Sequence, residues 1–136
     1  MLKTIKTSEA NRLIVAELTS KLAMGPENLI ARIAFAYSIA RGSELNLCNI
    51  KDAKGKEYSS QVLFGDYTDF YVTIVCQHYG IHKADYDISK YIKMHIDDGL
   101  ELISQVIQEN RNLPIFDFIL DQIEKGLKGL ATDYSS

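Results

Sequence analysis

Ile88-Ser89-Lys90-Tyr91-Ile92-Lys93-Met94-His95-Ile96-Asp97-Asp98-Gly99-Leu100-Glu101-Leu102-Ile103 is the stretch on which the fold turns. Continued to about Asn110, it sets Ile88, Tyr91, Ile92, His95, Gly99, Leu102, Ile103, Val106 and Ile107 on one face at helical spacing, the pattern of a long amphipathic helix. His95 and Gly99 fall in the middle of that apolar face. A glycine inside a helix costs about 1 kcal/mol relative to alanine. Gly99 is therefore expected to permit a close helix crossing or to admit a side chain from another element, with leucine overpacking the site and alanine tolerated if space allows. His95 on such a face reads as a satisfied core histidine before it reads as a proton shuttle.

Working back from this helix, Gly80 ends another over roughly 67–79, apolar on most sides through Phe70, Tyr71, Val72, Ile74, Val75 and Cys76. Residues 41–60 form a polar connection, with Leu45, Leu47 and Ile50 suited to a short strand and Asp52-Ala53-Lys54-Gly55 to a turn. Glu27 to Ala40 is a helix apolar almost all round, carrying Arg32 as its only charge between Asn28 and Ala40. A small domain surrounds few helices completely, so a partner subunit is expected to cover part of 27–40 and 67–79. Before it, Ser8 caps a helix from Ala10 to about Met24, and Gly25-Pro26 separates the two. In the first helix Glu17 and Lys21 are spaced for an i,i+4 pair. Beyond the long helix, Pro114 opens an amphipathic segment over 114–131 with Phe116, Ile119, Leu120, Ile123, Leu127 and Leu130 aligned. The expected fold is mostly α and a single domain, 1–136.

Composition agrees with a globular chain. The 136 residues are 46 % hydrophobic and 24 % charged. No apolar run reaches the roughly 18 residues of a membrane span, and the first residues have no signal-peptide core, so no membrane partner and a cytoplasmic location are expected. Cys48 and Cys76 form no C-x-x-C pair and read as reduced thiols. Net charge is −3, but residues 1–60 hold nine bases and six acids whereas 61–136 hold six and twelve. A polyanion would meet the first half and be repelled by the second.

Catalytic chemistry finds no foothold. Phosphate-binding glycine loops, the G-x-S-x-G elbow and H-E-x-x-H are all missing. His78 and His82 are four apart, but Gly80 interrupts the helix between them and no further ligands complete a metal set. Asp97 and Asp98 diverge by about 100° on a helix and read as solvated surface. Neither catalytic residues nor a metal nor a cofactor is expected.

Several short motifs fall in an order that resembles the DndE family of DNA sulfur modification proteins. They are Ile5-Lys6-Thr7-Ser8-Glu9-Ala10, Gly25 followed by Leu29-Ile30-Ala31-Arg32-Ile33-Ala34, Gly55-Lys56-Glu57-Tyr58, Leu63-Phe64-Gly65-Asp66-Tyr67 with Tyr71 four residues on, and His95-x-x-x-Gly99-Leu100. They span about residues 5 to 105, leaving 114–131 as an extra C-terminal helix. The resemblance implies a non-catalytic, homo-oligomeric subunit (a dimer or tetramer) of the machinery that puts sulfur into the DNA backbone. Its implied partners are double-stranded DNA, nicked or intact, and the other Dnd proteins, DndC and DndD. Gly65, Tyr71, His95 and Gly99 would be its packing residues.

The resemblance also implies that residues 1–40 form a unit similar to a ribbon-helix-helix. In such a dimer two strands pair across the two-fold axis and enter the major groove. Here Thr4 and Lys6 would share one strand face and Lys3, Ile5 and Thr7 the other. Pro26 offers no N–H to a phosphate at the second helix, and Glu27 repels one. Sequence reading is thus expected to be weak, and binding to rest on backbone phosphates through Lys3, Lys6, Arg12, Arg41, Lys51, Lys54 and Lys56, the last three in a flexible loop. A ribbon-helix-helix transcriptional regulator is the alternative; it accounts for the first 40 residues only.

Overall fold

The computed structural model describes residues 4–22, 26–42 and 44–109, together with Asp117 and Asp121. Lys3, Gly25 and the rest of the segment 114–131 lie outside these. In chain order the elements are β1 (Thr4–Lys6), α1 (Ala10–Leu22), α2 (Glu27–Ala40), β2 (Glu57–Ser59), α3 (Ser60–Phe64), α4 (Thr68–Tyr79) and α5 (Ile88–Glu109), with single 3-10 turns at Leu47–Asn49 and Gly65–Tyr67. The protein is mostly helical, with one two-stranded sheet.

The crossing of α2 and α5 is the centre of the molecule. Both are apolar on more than one side because both are enclosed. α2 buries Ile30, Ala31, Ala34, Phe35, Tyr37, Ser38 and Ile39, and α5 buries Ile88, Ile92, Ile96, Leu100, Ile103 and Ile107. A Cβ placed on Gly99 would lie 1.9 Å from the Ala34 carbonyl oxygen and 2.4 Å from its carbon. The helix backbones therefore touch there, with no room even for a methyl group. The other flank of α5 packs against α1 and β1, so it carries a second buried face that the single stripe of the sequence does not reveal.

The expectation that α2 needs a partner subunit is corrected: α1, α3 and α5 cover it within the chain. α4 differs. It buries only Ile74 and Val75, and Phe70, with Tyr67 and Val62 before it, remains exposed. An aromatic group ties this layer down: Phe64 stacks on Tyr71 at 4.2 Å between centroids, and both meet Phe35 edge-on. Arg32 Nε donates to the Leu63 carbonyl at 2.6 Å and the Asn28 amide to that of Val62 at 3.0 Å, joining α3 to α2. Gly65 follows α3 at φ +58°, the left-handed region that favours glycine.

Two further corrections concern the connection 41–60. Leu47–Asn49 is a 3-10 turn and not a strand, because the Asn46 side chain accepts from the Cys48 N–H at 2.9 Å and winds the backbone tightly. The strand lies later, at β2. It pairs antiparallel with β1 in the register Thr4–Ser59, Ile5–Tyr58 and Lys6–Glu57. Within the chain, β1 is thus paired by a strand 53 residues after Ile5 that lies outside residues 1–40. Ile5 and Tyr58 point into the core, while Thr4 and Lys6 face out.

Candidate nucleic-acid interface

The basic loop 51–56 is clasped to the start of α1, and every clasp has a chemical reason. The first N–H groups of a helix have no partner within it. Asp52 Oδ1 accepts from the Glu9 N–H at 2.9 Å and from its own loop's Lys54 N–H at 3.0 Å. These two backbone donors, Glu9 first, hold the Asp52 carboxyl below the ordinary carboxylate range. Arg12 Nη2 donates to the Lys54 and Gly55 carbonyls at 3.0 and 3.1 Å. Gly55 N donates to Thr7 O, and Thr7 N to Lys56 O, extending the ladder past β1. A Cβ on Gly55 would stand 2.0 Å from the Ser8 carbonyl oxygen, so only glycine admits this approach. The expected flexible loop is instead a fixed one.

This edge brings together some of the basic residues the sequence nominates and separates others. Lys6 and Lys54 are exposed and make no ion pair among the described residues. Lys51 pairs with Glu101 of α5, and Lys56 with Glu27 of α2 at 3.3 Å. Arg12 spends its guanidinium on the loop carbonyls. Arg41 lies at the far end of α2 from Glu27, about 20 Å along the helix, with its guanidinium carbon 5.8 Å from the centre of the Tyr37 ring. Lys21 pairs with Glu17 at 2.7 Å, as their spacing suggests.

Behind the edge lies a buried polar network that the sequence reading missed. Lys93 and Asp97 are 6 % and 4 % exposed, not solvated surface. Lys93 Nζ donates to Asp97 Oδ2 at 2.7 Å. Asp97 Oδ1 accepts from the Ser8 N–H at 3.1 Å and from Asn11 Nδ2 at 2.7 Å. A carboxylate of α5 thereby ties down the residues that lead into α1 and fixes the strand-to-helix corner that carries the clasp. The i,i+4 spacing of Lys93 and Asp97 was the available signal; that Ser8 and Asn11 stand across from them was not legible.

Asp98 is also engaged. It accepts from Ser38 Oγ at 2.6 Å, and Ser38 Oγ lies 2.8 Å from His95 Nδ1. On the other side Tyr79 OH lies 2.5 Å from His95 Nε2 while accepting from the Leu45 N–H. Each hydroxyl has one proton, so the directions follow. Tyr79 donates to Nε2, Nδ1–H donates to Ser38, and Ser38 donates to Asp98. His95 is fully buried and neutral; burial, and then His78 nearby, lower its pKa to about 3. The relay is closed at every link and joins α4, α5 and α2. Tyr79 stacks on Tyr91 at 4.0 Å, beside an open cleft of about 500 Å³ lined also by Glu44, Asn46 and His78. Among the described residues no group of three or more histidine, cysteine or acidic side chains is arranged to hold a metal ion. No helix among them is long and apolar enough to cross a membrane.

Fold and edge together define a class: small, mostly helical proteins built on two central crossed helices, with a two-stranded ribbon and a basic clasped loop at one end. The family model of the DNA sulphur modification protein DndE matches residues 4–111, and the chain belongs to that family. A crystal structure of DndE from Escherichia coli B7A, described as involved in DNA phosphorothioation modification, shares the fold with a TM-score of 0.61. The similarity covers 74 % of this chain and 97 % of that one at 16 % identity. No curated protein matches.

Proposed function

We propose that this protein is a non-catalytic DNA-binding subunit of the DNA phosphorothioation machinery, gripping duplex backbone through the β1–β2 edge. The family membership supplies the pathway. The observation that carries the binding surface is a pair of exposed lysines with no ion pair among the described residues, Lys6 on β1 and Lys54 on the loop too firmly clasped to fold away. Cations that meet phosphate oxygens position a protein on DNA without reading bases. Lys51 and Lys56 flank them but are held by carboxylates. Lys3, which lies outside the described residues, and Arg12 and Arg41 are proposed as further phosphate contacts.

Self-association to a dimer or tetramer goes with this reading. Val62 of α3, Tyr67 of the turn after it and Phe70 of α4 are 53 %, 66 % and 56 % exposed, and large apolar groups left in water favour an interface. Light scattering should give a multiple of 15.3 kDa; a monomer at micromolar concentration refutes it. The other Dnd proteins, DndC and DndD, are the proposed protein partners. Anisotropy titrations against unrelated duplexes test the DNA reading. It expects affinities that agree across sequences at one salt concentration, with or without a nick as the only preference. Tight binding to one palindrome alone would instead identify a transcriptional regulator.

A further inference from the structure

We infer that Glu27 and Glu101 shield the basic edge from DNA, each withholding one lysine from the phosphates. The inference rests on the DNA-binding reading above. The two glutamates come from different helices, the first turn of α2 and the middle of α5, and each reaches a different lysine of one loop. The loop itself does not move to make these pairs, because Asp52, Arg12 and Gly55 fix its backbone independently. Among the described residues, the edge therefore holds two lysines without an ion pair and two occupied.

Exposure decides whether the occupied lysines can change partner. In the Lys51–Glu101 pair the side chains are 45 % and 36 % exposed, and in Lys56–Glu27 47 % and 32 %. The Lys93–Asp97 pair, at 7 % and 6 %, is sealed. Exposed pairs in water are weak, so a phosphate is a competent rival for the ammonium, yet it must first displace the carboxylate. Glu27 is steadied in its position by the positive end of α2. Affinity for DNA is thus held below what four lysines would give. A partner that engages either glutamate with a cation of its own would release a lysine and tighten the grip.

The test is a double-mutant cycle on the full chain, with a fluorescein-labelled duplex of mixed sequence read by anisotropy across a salt series. Glu101→Gln and Glu27→Gln should each tighten binding about two- to fivefold, the factor equivalent to an exposed ion pair. Each should also steepen the salt slope by up to about 0.9, one additional phosphate contact. The gain from Glu101→Gln should vanish in a Lys51→Gln background, and that from Glu27→Gln in a Lys56→Gln background. A gain that persists without the lysine reflects bulk charge and overturns the shielding. If Lys6→Gln with Lys54→Gln weakens binding but both glutamate variants leave it unchanged, the DNA reading stands and the shielding is wrong. If the wild-type chain and all variants bind no duplex, both fall together.

Discussion

The α2–α5 crossing and the β1–β2 edge are both rich in polar groups, and they use them oppositely. At the crossing the polar atoms are matched to one another. Ala34 touches Gly99 backbone to backbone, and the Tyr79–His95–Ser38–Asp98 chain leaves no link open; behind the edge, the buried Lys93 likewise has Asp97 as its ion-pair partner. At the edge the backbone is just as firmly fixed, but the side-chain charges end in water and can exchange partners. The difference separates stability from binding: substitutions at the crossing should unfold the protein, and substitutions of the edge lysines should change affinity alone.

The largest effect is expected at Asp97. Asp97→Leu leaves the Lys93 ammonium buried without a counter-ion and the Ser8 N–H without an acceptor, a loss of about 3–5 kcal/mol measurable by urea unfolding. Adding Lys93→Met should recover part of it; no recovery would show that the lost bonds to Ser8 and Asn11, and not the buried charge, dominate. Next comes Gly99→Ala. With 1.9 Å to the Ala34 oxygen, the helices must move apart, at about 1–3 kcal/mol. An unchanged melting temperature would contradict the close crossing, and the sequence-based tolerance of alanine would hold after all.

A smaller effect is pH-dependent. The folded pKa of His95, about 3, lies below its unfolded value of 6.5. The unfolded chain therefore takes up the proton first. The histidine's contribution is complete above pH 6.5 and is lost as pH falls toward 3. At pH 5.5 the loss should be about 1.4 kcal/mol, and His95→Gln should remove that component of the pH profile. Equal profiles for the two proteins would show that His95 accepts a proton in the folded state.

Much of this was legible in the sequence, and the limits are physical. A glycine and a histidine on the apolar face of a long helix are local anomalies, so Gly99 and His95 announced themselves. Apolar periodicity gave α1, α2, α4 and α5 nearly to their ends. It could not tell that α2 is enclosed by its own chain while α4 is left open, because both read as apolar on most sides. β2 and α3 are three and five residues long, too short for a period. Ser59 caps α3 through the Val62 N–H at 3.1 Å, a signal that sat inside a stretch otherwise read as connection. The basic residues were legible as a bias of the first half, but which of them have a carboxylate beside them depends on α2 and α5 arriving at the same loop.

If the unpaired lysines of the fixed edge hold DNA, two pairs of neighbours should differ in what they contribute. Duplex affinity would be followed against salt for Lys6→Gln/Lys54→Gln and for Lys51→Gln/Lys56→Gln. All four side chains are exposed, and the changes should leave stability within about 0.5 kcal/mol. The first double variant should bind more weakly, with a salt slope shallower by up to about 0.9 for each lysine lost, and the second should lose distinctly less. Equal losses, or a larger loss from Lys51 and Lys56, would show that the unpaired lysines are not what holds the duplex.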